Sequence, residues 1–122
     1  MNELSIIIPI LNESKNIKRL IPEINKIKKK LNLIKFEVLL IDDNSDDDTK
    51  IIVNDLKKKF SFLKLYIRND KIKDLSKSCI LGFNISKYEN ILVMDGDFQH
   101  HPKYIFNLYT SFNKNNYDFV IG

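Results

Sequence analysis

Short, almost uninterrupted apolar runs alternate along this chain with stretches in which apolar residues recur at helical spacing, and that alternation leaves few folds open. Residues 4–9, 36–41, 63–67, 91–94 and 117–121 each read as a buried strand. Between the first two, Ile17, Leu20, Ile21, Ile24, Ile27 and Leu31 mark one face of a helix, which Pro22 is expected to kink or restart. Ile51, Ile52, Val53, Leu56 and Phe60 mark a second helix, capped by Asp46 or Asp47. Asp74 is the expected cap of a third, over about residues 75–86, and Pro102 suits the first turn of another. Apolar strands alternating with helices mean βαβ units, hence a parallel sheet with helices on both faces. The expected architecture is therefore an open, doubly wound, mostly parallel α/β sheet of the Rossmann-like kind. Such sheets bind ligands outside the carboxyl ends of their strands, where the strand order reverses.

At 122 residues the chain has room for one domain with one real core, and no linker, repeat or low-complexity tract divides it. Hydrophobic residues at 43% and charged ones at 30% exclude disorder and fibrous classes. The longest apolar runs, such as residues 5–11, fall far short of the ~20 residues of a membrane span, and Met1-Asn2-Glu3 does not open a signal peptide. Cys79 is the single cysteine, so neither an internal disulfide nor a cysteine zinc site is expected, and a reducing, cytoplasmic setting fits. The net charge of +4 comes from 20 basic residues of which only Arg19 and Arg68 are arginine. Lysine without arginine is a poor nucleic-acid signature, so no nucleic-acid partner is expected. The lysines at 28–30, 57–59 and 71–77 read first as solvated helix faces, and second as peripheral contact with an anionic membrane surface.

The expected carboxyl edge is acidic. The first strand leads into Asn12-Glu13, the second into Asp42-Asp43-Asn44-Ser45, and the fourth into Asp95-Gly96-Asp97-Phe98-Gln99. Three loops thus bring Glu13, Asp42, Asp43, Asp95 and Asp97 to one rim, where like charges repel unless a positive charge lies among them. A divalent cation is the natural partner. Asp95 and Asp97 flank a glycine, so in an extended loop both can reach one ion, while Gly96 lets a ligand approach the backbone. Oxygen-only ligands select Mg²⁺ or Mn²⁺, with substrate phosphates completing the shell, which points to a diphosphate. An Asp-x-Asp pair is otherwise a plain turn, but its place after a strand and before Phe98-Gln99-His100-His101-Pro102 favours a site. Asp42-Asp43 reads either as a turn and helix cap or as a contact to a base or ribose. No P-loop or G-x-G-x-x-G occurs, so the metal must hold the phosphates. His100-His101 reads as a solvated turn, and Cys79, among Ile80, Phe83 and Ile85, as a buried structural thiol.

Residues 5–13 (SIIIPILNE), 40–45 (LIDDNS) with Thr49, and above all 93–100 (VMDGDFQH) closely resemble the family 2 glycosyltransferases, in the family's order and spacing and over essentially the whole chain. The Asp-x-Asp-x-Gln-His run looks most like the dolichol-phosphate or polyprenol-phosphate mannosyltransferase branch. The resemblance implies a GT-A fold in which Pro9, Leu11 and Glu13 line the nucleotide pocket and Ile41 and Asp43 meet the base and ribose. By the same resemblance Met94 and Gly96 frame the pocket, Asp95, Asp97 and Gln99 bind the metal and diphosphate, Asp95 and Asp97 are the catalytic carboxylates, and Arg68 reaches toward the site. Leu11 stands where the family often has an aromatic residue, Asp74 where a glycine usually precedes Leu75, and His101 where proline is common. The implied reaction is inverting transfer from a nucleotide-sugar, GDP-mannose first and a UDP-sugar second, to a polyprenyl phosphate. Family members usually run on well past the strand that ends here at Gly122, so the expectation is a truncated donor half, with a C-terminal partner segment missing and catalysis by the chain alone doubtful.

Two other chemistries share such a sheet. A phosphoryl-receiver domain would carry its acid pair after the first strand and a lysine after the fifth, and an Asp-x-Asp phosphatase would carry its motif after the first strand. Neither matches the order found here.

Overall fold

A computed structural model describes residues 3–33, 35–69, 74–94 and 119–121. Its elements run β1 (Glu3–Ile10), α1 (Ser14–Lys30), β2 (Lys35–Asp42), α2 (Thr49–Lys59), β3 (Leu63–Ile67), α3 (Leu75–Ile85), β4 (Ile91–Val93) and β5 (Phe119–Ile121). The five expected strands are all present. The helix expected near Pro102 and the turn at His100-His101 lie outside the described residues.

The strands form one sheet in the order β3-β2-β1-β4-β5, and every neighbouring pair is parallel. The order reverses at β1, whose neighbours are β2 and β4. Because side chains alternate along a strand, β1 splits its apolar run between two cores. Leu4, Ile6, Ile8 and Ile10 join Val38 and Leu40 beneath Ile17, Leu20, Ile21 and Ile24 of α1 and Val53 and Leu56 of α2. Ile7 joins Leu39, Ile41 and Val93 on the other face, against Leu81, Phe83, Ile85 and the half-buried Cys79 of α3. Helices thus cover both faces, as a doubly wound sheet requires. Gly82 allows the close approach of α3, since a Cβ there would come within 2.5 Å of Ile7 Cγ2.

Two helix starts and one helix interior differ in how far the sequence anticipated them. Asp74 caps α3 as expected, its carboxylate accepting from the backbone amides of Ser76 (2.9 Å) and Lys77 (3.3 Å). Pro22, expected to kink or restart α1, instead lies inside a single helix. Its ring forfeits one bond, to the carbonyl of the exposed Lys18, which water can serve, while four buried side chains hold the helix to the sheet. At α2 the N-cap position is Asp48 rather than Asp46 or Asp47, and it makes no side-chain cap bond. Asp47 does that work from one residue further out, accepting from the Thr49 amide at 2.8 Å and from the Thr49 hydroxyl. The lysine triplets fall in the last turns of α1 and α2, where positive charge complements the carbonyl ends. Among the described residues no helix is long and apolar enough to cross a membrane.

At the amino edge, away from the expected site, Glu37 is buried at 2% exposure. Its carboxylate accepts from the Ser5 hydroxyl (2.6 Å), the Lys87 amide (2.6 Å) and the Lys64 ammonium (2.9 Å). Burial opposes its charge, but these bonds outweigh burial and hold its pKa below the ordinary 4.5. The group ties the approach to β4 onto β1, β2 and β3.

Candidate functional site at the carboxyl edge

The ladder of the sheet runs one step past each strand end and so sets four segments level. The amide of Asp43 donates to Ile10 O (2.9 Å), that of Arg68 to Asp42 O (2.8 Å), and that of Met94 to Ile7 O (3.0 Å). The chain leaves β1 at Leu11, β2 at Asp43, β3 at Arg68 and β4 at Met94 on the same rim, astride the reversal of strand order. Pro9, Leu11, Glu13, Ile41, Asp43 and Met94 are thereby brought together. Asp95, Gly96, Asp97 and Gln99 follow Met94 in the sequence and lie outside the described residues.

The six differ in what they present. Ile41 and Met94 are buried, at 0% and 2% exposure, Ile41 in the core under α3 and Met94 in the core under α1 and α2. Pro9 is also buried, while Leu11 and Glu13 are half-buried at the mouth of α1. Glu13 Oε2 accepts from Asn16 Nδ2 at 3.2 Å, and its amide donates to Thr49 Oγ1 at 3.1 Å.

Among the described residues no group of three or more side chains able to hold a metal ion forms. Asp42 and Asp43, being consecutive at a strand end, part to opposite faces. Asp42 is buried, with Oδ1 accepting from the Ser45 amide (2.8 Å) and hydroxyl (2.6 Å). Asp43 Oδ1 lies 2.6 Å from Arg68 Nη2 in a buried ion pair, and its Oδ2 accepts from the Asp74 amide at 2.8 Å. The positive charge beside Asp43 is the Arg68 guanidinium. Asp74 meets Asp43 with extended backbone (φ −151°), a conformation that needs no glycine at this position.

Asn12, without an expected role, and Asp47, expected only as a cap of α2, organise the rim. Asn12, at φ 53°, adopts the left-handed conformation that asparagine tolerates best after glycine. Its amide donates to Ser45 Oγ (2.9 Å), and its Oδ1 accepts from the amides of Asp46 (3.0 Å) and Asp47 (3.3 Å). The loop after β1 is thus stapled to the loop after β2. Asp47 extends the staple, because besides Thr49 it accepts from the backbone and hydroxyl of Ser14. One carboxylate serves the first turns of both α1 and α2. Desolvation works against its charge, yet the bonds from Thr49 and Ser14 hold its pKa below the ordinary 3.8. The only sequence signal for these roles is composition, asparagine and aspartate being the residues that bond nearby backbone.

Comparison with known proteins agrees with this geometry. A family model described as glycosyl transferase family 2 matches residues 5–122. The dolichol-phosphate mannosyltransferase of Pyrococcus furiosus is 36% identical over 120 residues, covering 98% of this chain and 32% of that protein. An uncharacterized protein of Methanocaldococcus jannaschii is 32% identical over 120 residues, covering 95% of this chain and 49% of the other. Among solved structures, S. aureus TarS 1–349 in complex with UDP has a TM-score of 0.73 at 23% identity, over 93% of this chain and 33% of that one, a likeness of fold. This chain spans between about a third and about half the length of these two curated relatives. Its parallel sheet with helices on both faces is the GT-A architecture, and the chain belongs to glycosyl transferase family 2.

Proposed function

We propose that this chain binds the nucleotide-sugar donor of an inverting glycosyl transfer, with GDP-mannose as the donor and a polyprenyl phosphate as the acceptor of the complete enzyme. The observation that carries the reading is the convergence of Glu13, Asp43 and the end of β4 on one rim at the reversal of strand order, directly before Asp95-Gly96-Asp97 in the sequence. Asp43 is an acceptor-only group when ionised, suited to the N–H donors of a base or the hydroxyls of a ribose. By residue type Asp95, Asp97 and Gln99 offer an all-oxygen donor set fit for Mg²⁺ or Mn²⁺. A bound divalent ion would supply neutralisation of charge on the leaving diphosphate. A phosphate-monoester acceptor has a second pKa of about 6, so its oxygen is already an anionic nucleophile at neutral pH and this chain needs no strong general base. Attack by that oxygen on the anomeric carbon forms the new glycosyl bond as the bond to the nucleoside diphosphate breaks, with inversion. The acidic rim orients the donor for this step.

A UDP-sugar is the second reading, favoured by the likeness of fold to a structure solved with UDP. Titration calorimetry of the chain with GDP, UDP and GDP-mannose, in Mn²⁺ and then in EDTA, separates them. Metal-dependent binding with a preference for one base is the expected result, and Asp97→Ala should abolish the metal dependence. A folded chain that binds none of the three nucleotides overturns the proposal.

A further inference from the structure

We infer that the outer face of the α1 and α2 layer docks on an anionic lipid surface, a role independent of the donor-site reading above. The two helices cover the same face of the sheet and together hold eleven basic residues and two acids, net +9, in a chain whose net charge is +4. Positive charge is thus concentrated in one layer, and the rest of the chain is acidic on balance. Within α1 that charge is ordered. Ile17, Leu20, Ile21 and Ile24 face the sheet, whereas Lys15, Lys18, Lys26 and Lys29 are exposed and form one stripe along a helix whose 17 residues span about 25 Å. Both acids are engaged, Glu23 by Lys26 at 3.1 Å and Asp55 by Lys58 at 4.0 Å. On α2, Ile51 and Lys58 lie two turns apart on the side away from Val53 and Leu56, and Ile51 is 65% exposed.

Helix stability does not account for this pattern. The triplets at the ends of α1 and α2 complement the carbonyl termini, but Lys15 sits in the first turn of α1, where positive charge opposes the helix dipole and no acid offsets it. Lys15 and Lys18, and again Lys26 and Lys29, are like charges three residues apart, which weakens a helix. An anionic surface relieves both costs. The chemistry of the face favours lipid over other polyanions. Lysine is a hydrated point charge without the planar fork that reads phosphates and bases, and neither helix contains an aromatic residue on which a base could stack. A bilayer needs only charge on long alkyl stems and an apolar side chain to bury, which Ile51 supplies. The exposed Asp46, Asp47 and Asp48 border the face before α2, so the attraction is strongest over α1. In this pose the bilayer plane runs parallel to the sheet, and the carboxyl edge opens to one side.

The test is co-sedimentation of the full chain with vesicles of phosphatidylcholine, alone or mixed with about one-third phosphatidylglycerol, at low and at high salt, with a thermal melt of each protein. The mixed vesicles should bind at least about tenfold better than phosphatidylcholine alone, and salt should erase the difference. A lysine near such a surface contributes about fivefold, so the triple variant Lys15→Gln, Lys18→Gln, Lys29→Gln should lose about a hundredfold. The same exchange at Lys77 and Lys87, in and just after α3 on the other face of the sheet, should stay within about twofold. Ile51→Ser should lose at least about threefold. Since the exchanged lysines are exposed and repel one another, the triple variant should melt no lower than the unmodified chain. Equal binding to both vesicles, no binding to either by the folded chain, or an equal loss in the Lys77 and Lys87 variant overturns the inference. So does tighter binding, at the same salt, to random-sequence duplex DNA or to polyglutamate than to the mixed vesicles, which would assign the face to a nucleic acid or to an acidic protein. No arm of the experiment contains nucleotide, so its failure leaves the donor-site reading standing.

Discussion

Replacing Glu37 by alanine asks how the amino edge of the sheet is held. Its carboxylate is the acceptor for the Ser5 hydroxyl and the Lys87 amide, each at 2.6 Å, and for the Lys64 ammonium at 2.9 Å. A donor left buried without a partner costs about 1–3 kcal/mol. Lys64 adds little, because its side chain is 41% exposed and its ammonium returns to water. The Ser5 oxygen keeps its contact with the Tyr88 amide, and removing a buried charge recovers some desolvation energy, so Glu37→Ala should cost about 2–4 kcal/mol. Glu37→Gln, which keeps the shape and one acceptor oxygen, should cost about half of that. Urea unfolding followed by circular dichroism measures both, and a cost below about 0.5 kcal/mol for Glu37→Ala would refute the reasoning. The pH dependence is a second check. Because the folded-state pKa of Glu37 lies below 4.5, its contribution is complete above that value and is lost as pH falls through the lowered one. Lys64, raised above 10.5 by its bond to Glu37, contributes below that value and loses its share as pH rises through the raised one. The stability gap between the unmodified chain and Glu37→Gln should therefore be flat near neutrality and close on acidification. A gap that widens in acid contradicts the assignment.

Gly82→Ala should destabilise, although alanine is the better helix former by about 1 kcal/mol. Its Cβ would fall 2.5 Å from Ile7 Cγ2, a branch of a strand residue with no exposure, and such overpacking costs about 1–3 kcal/mol; an unchanged or raised Tm would count against it. Asp47→Ala removes an acceptor shared by the first turns of α1 and α2, at about 0.5–2 kcal/mol, and Asp47→Asn should recover part of this; a neutral alanine variant in a thermal melt would show that water replaces the carboxylate.

The strands were legible because a parallel strand buried on both faces must be apolar almost throughout, and runs such as residues 4–9 have no other reading. The cap at Asp74 was legible too, as one acidic residue directly before an apolar helical pattern. The start of α2 was not, since Asp46, Asp47 and Asp48 are equivalent to local rules and only the packing of Thr49 against the loop after β1 selects among them. Pro22 misled for a related reason. A proline rule weighs one lost hydrogen bond, whereas α1 is held by the burial of Ile17, Leu20, Ile21 and Ile24, each contributing about 1.5–3 kcal/mol.

By itself the sequence determined the layering, the parallel sheet and the placing of Glu13, Asp42 and Asp43 at its carboxyl edge, because these follow from periodicity and from where each apolar run stops. The partner of Asp43 was decided only by tertiary structure. The Asp42–Ser45 bonds close within one local turn, but Asp43 meets Arg68 because the register of β2 and β3 sets the ends of two separate segments level. That juxtaposition is a property of the closed ladder, and no local stretch of chain carries it.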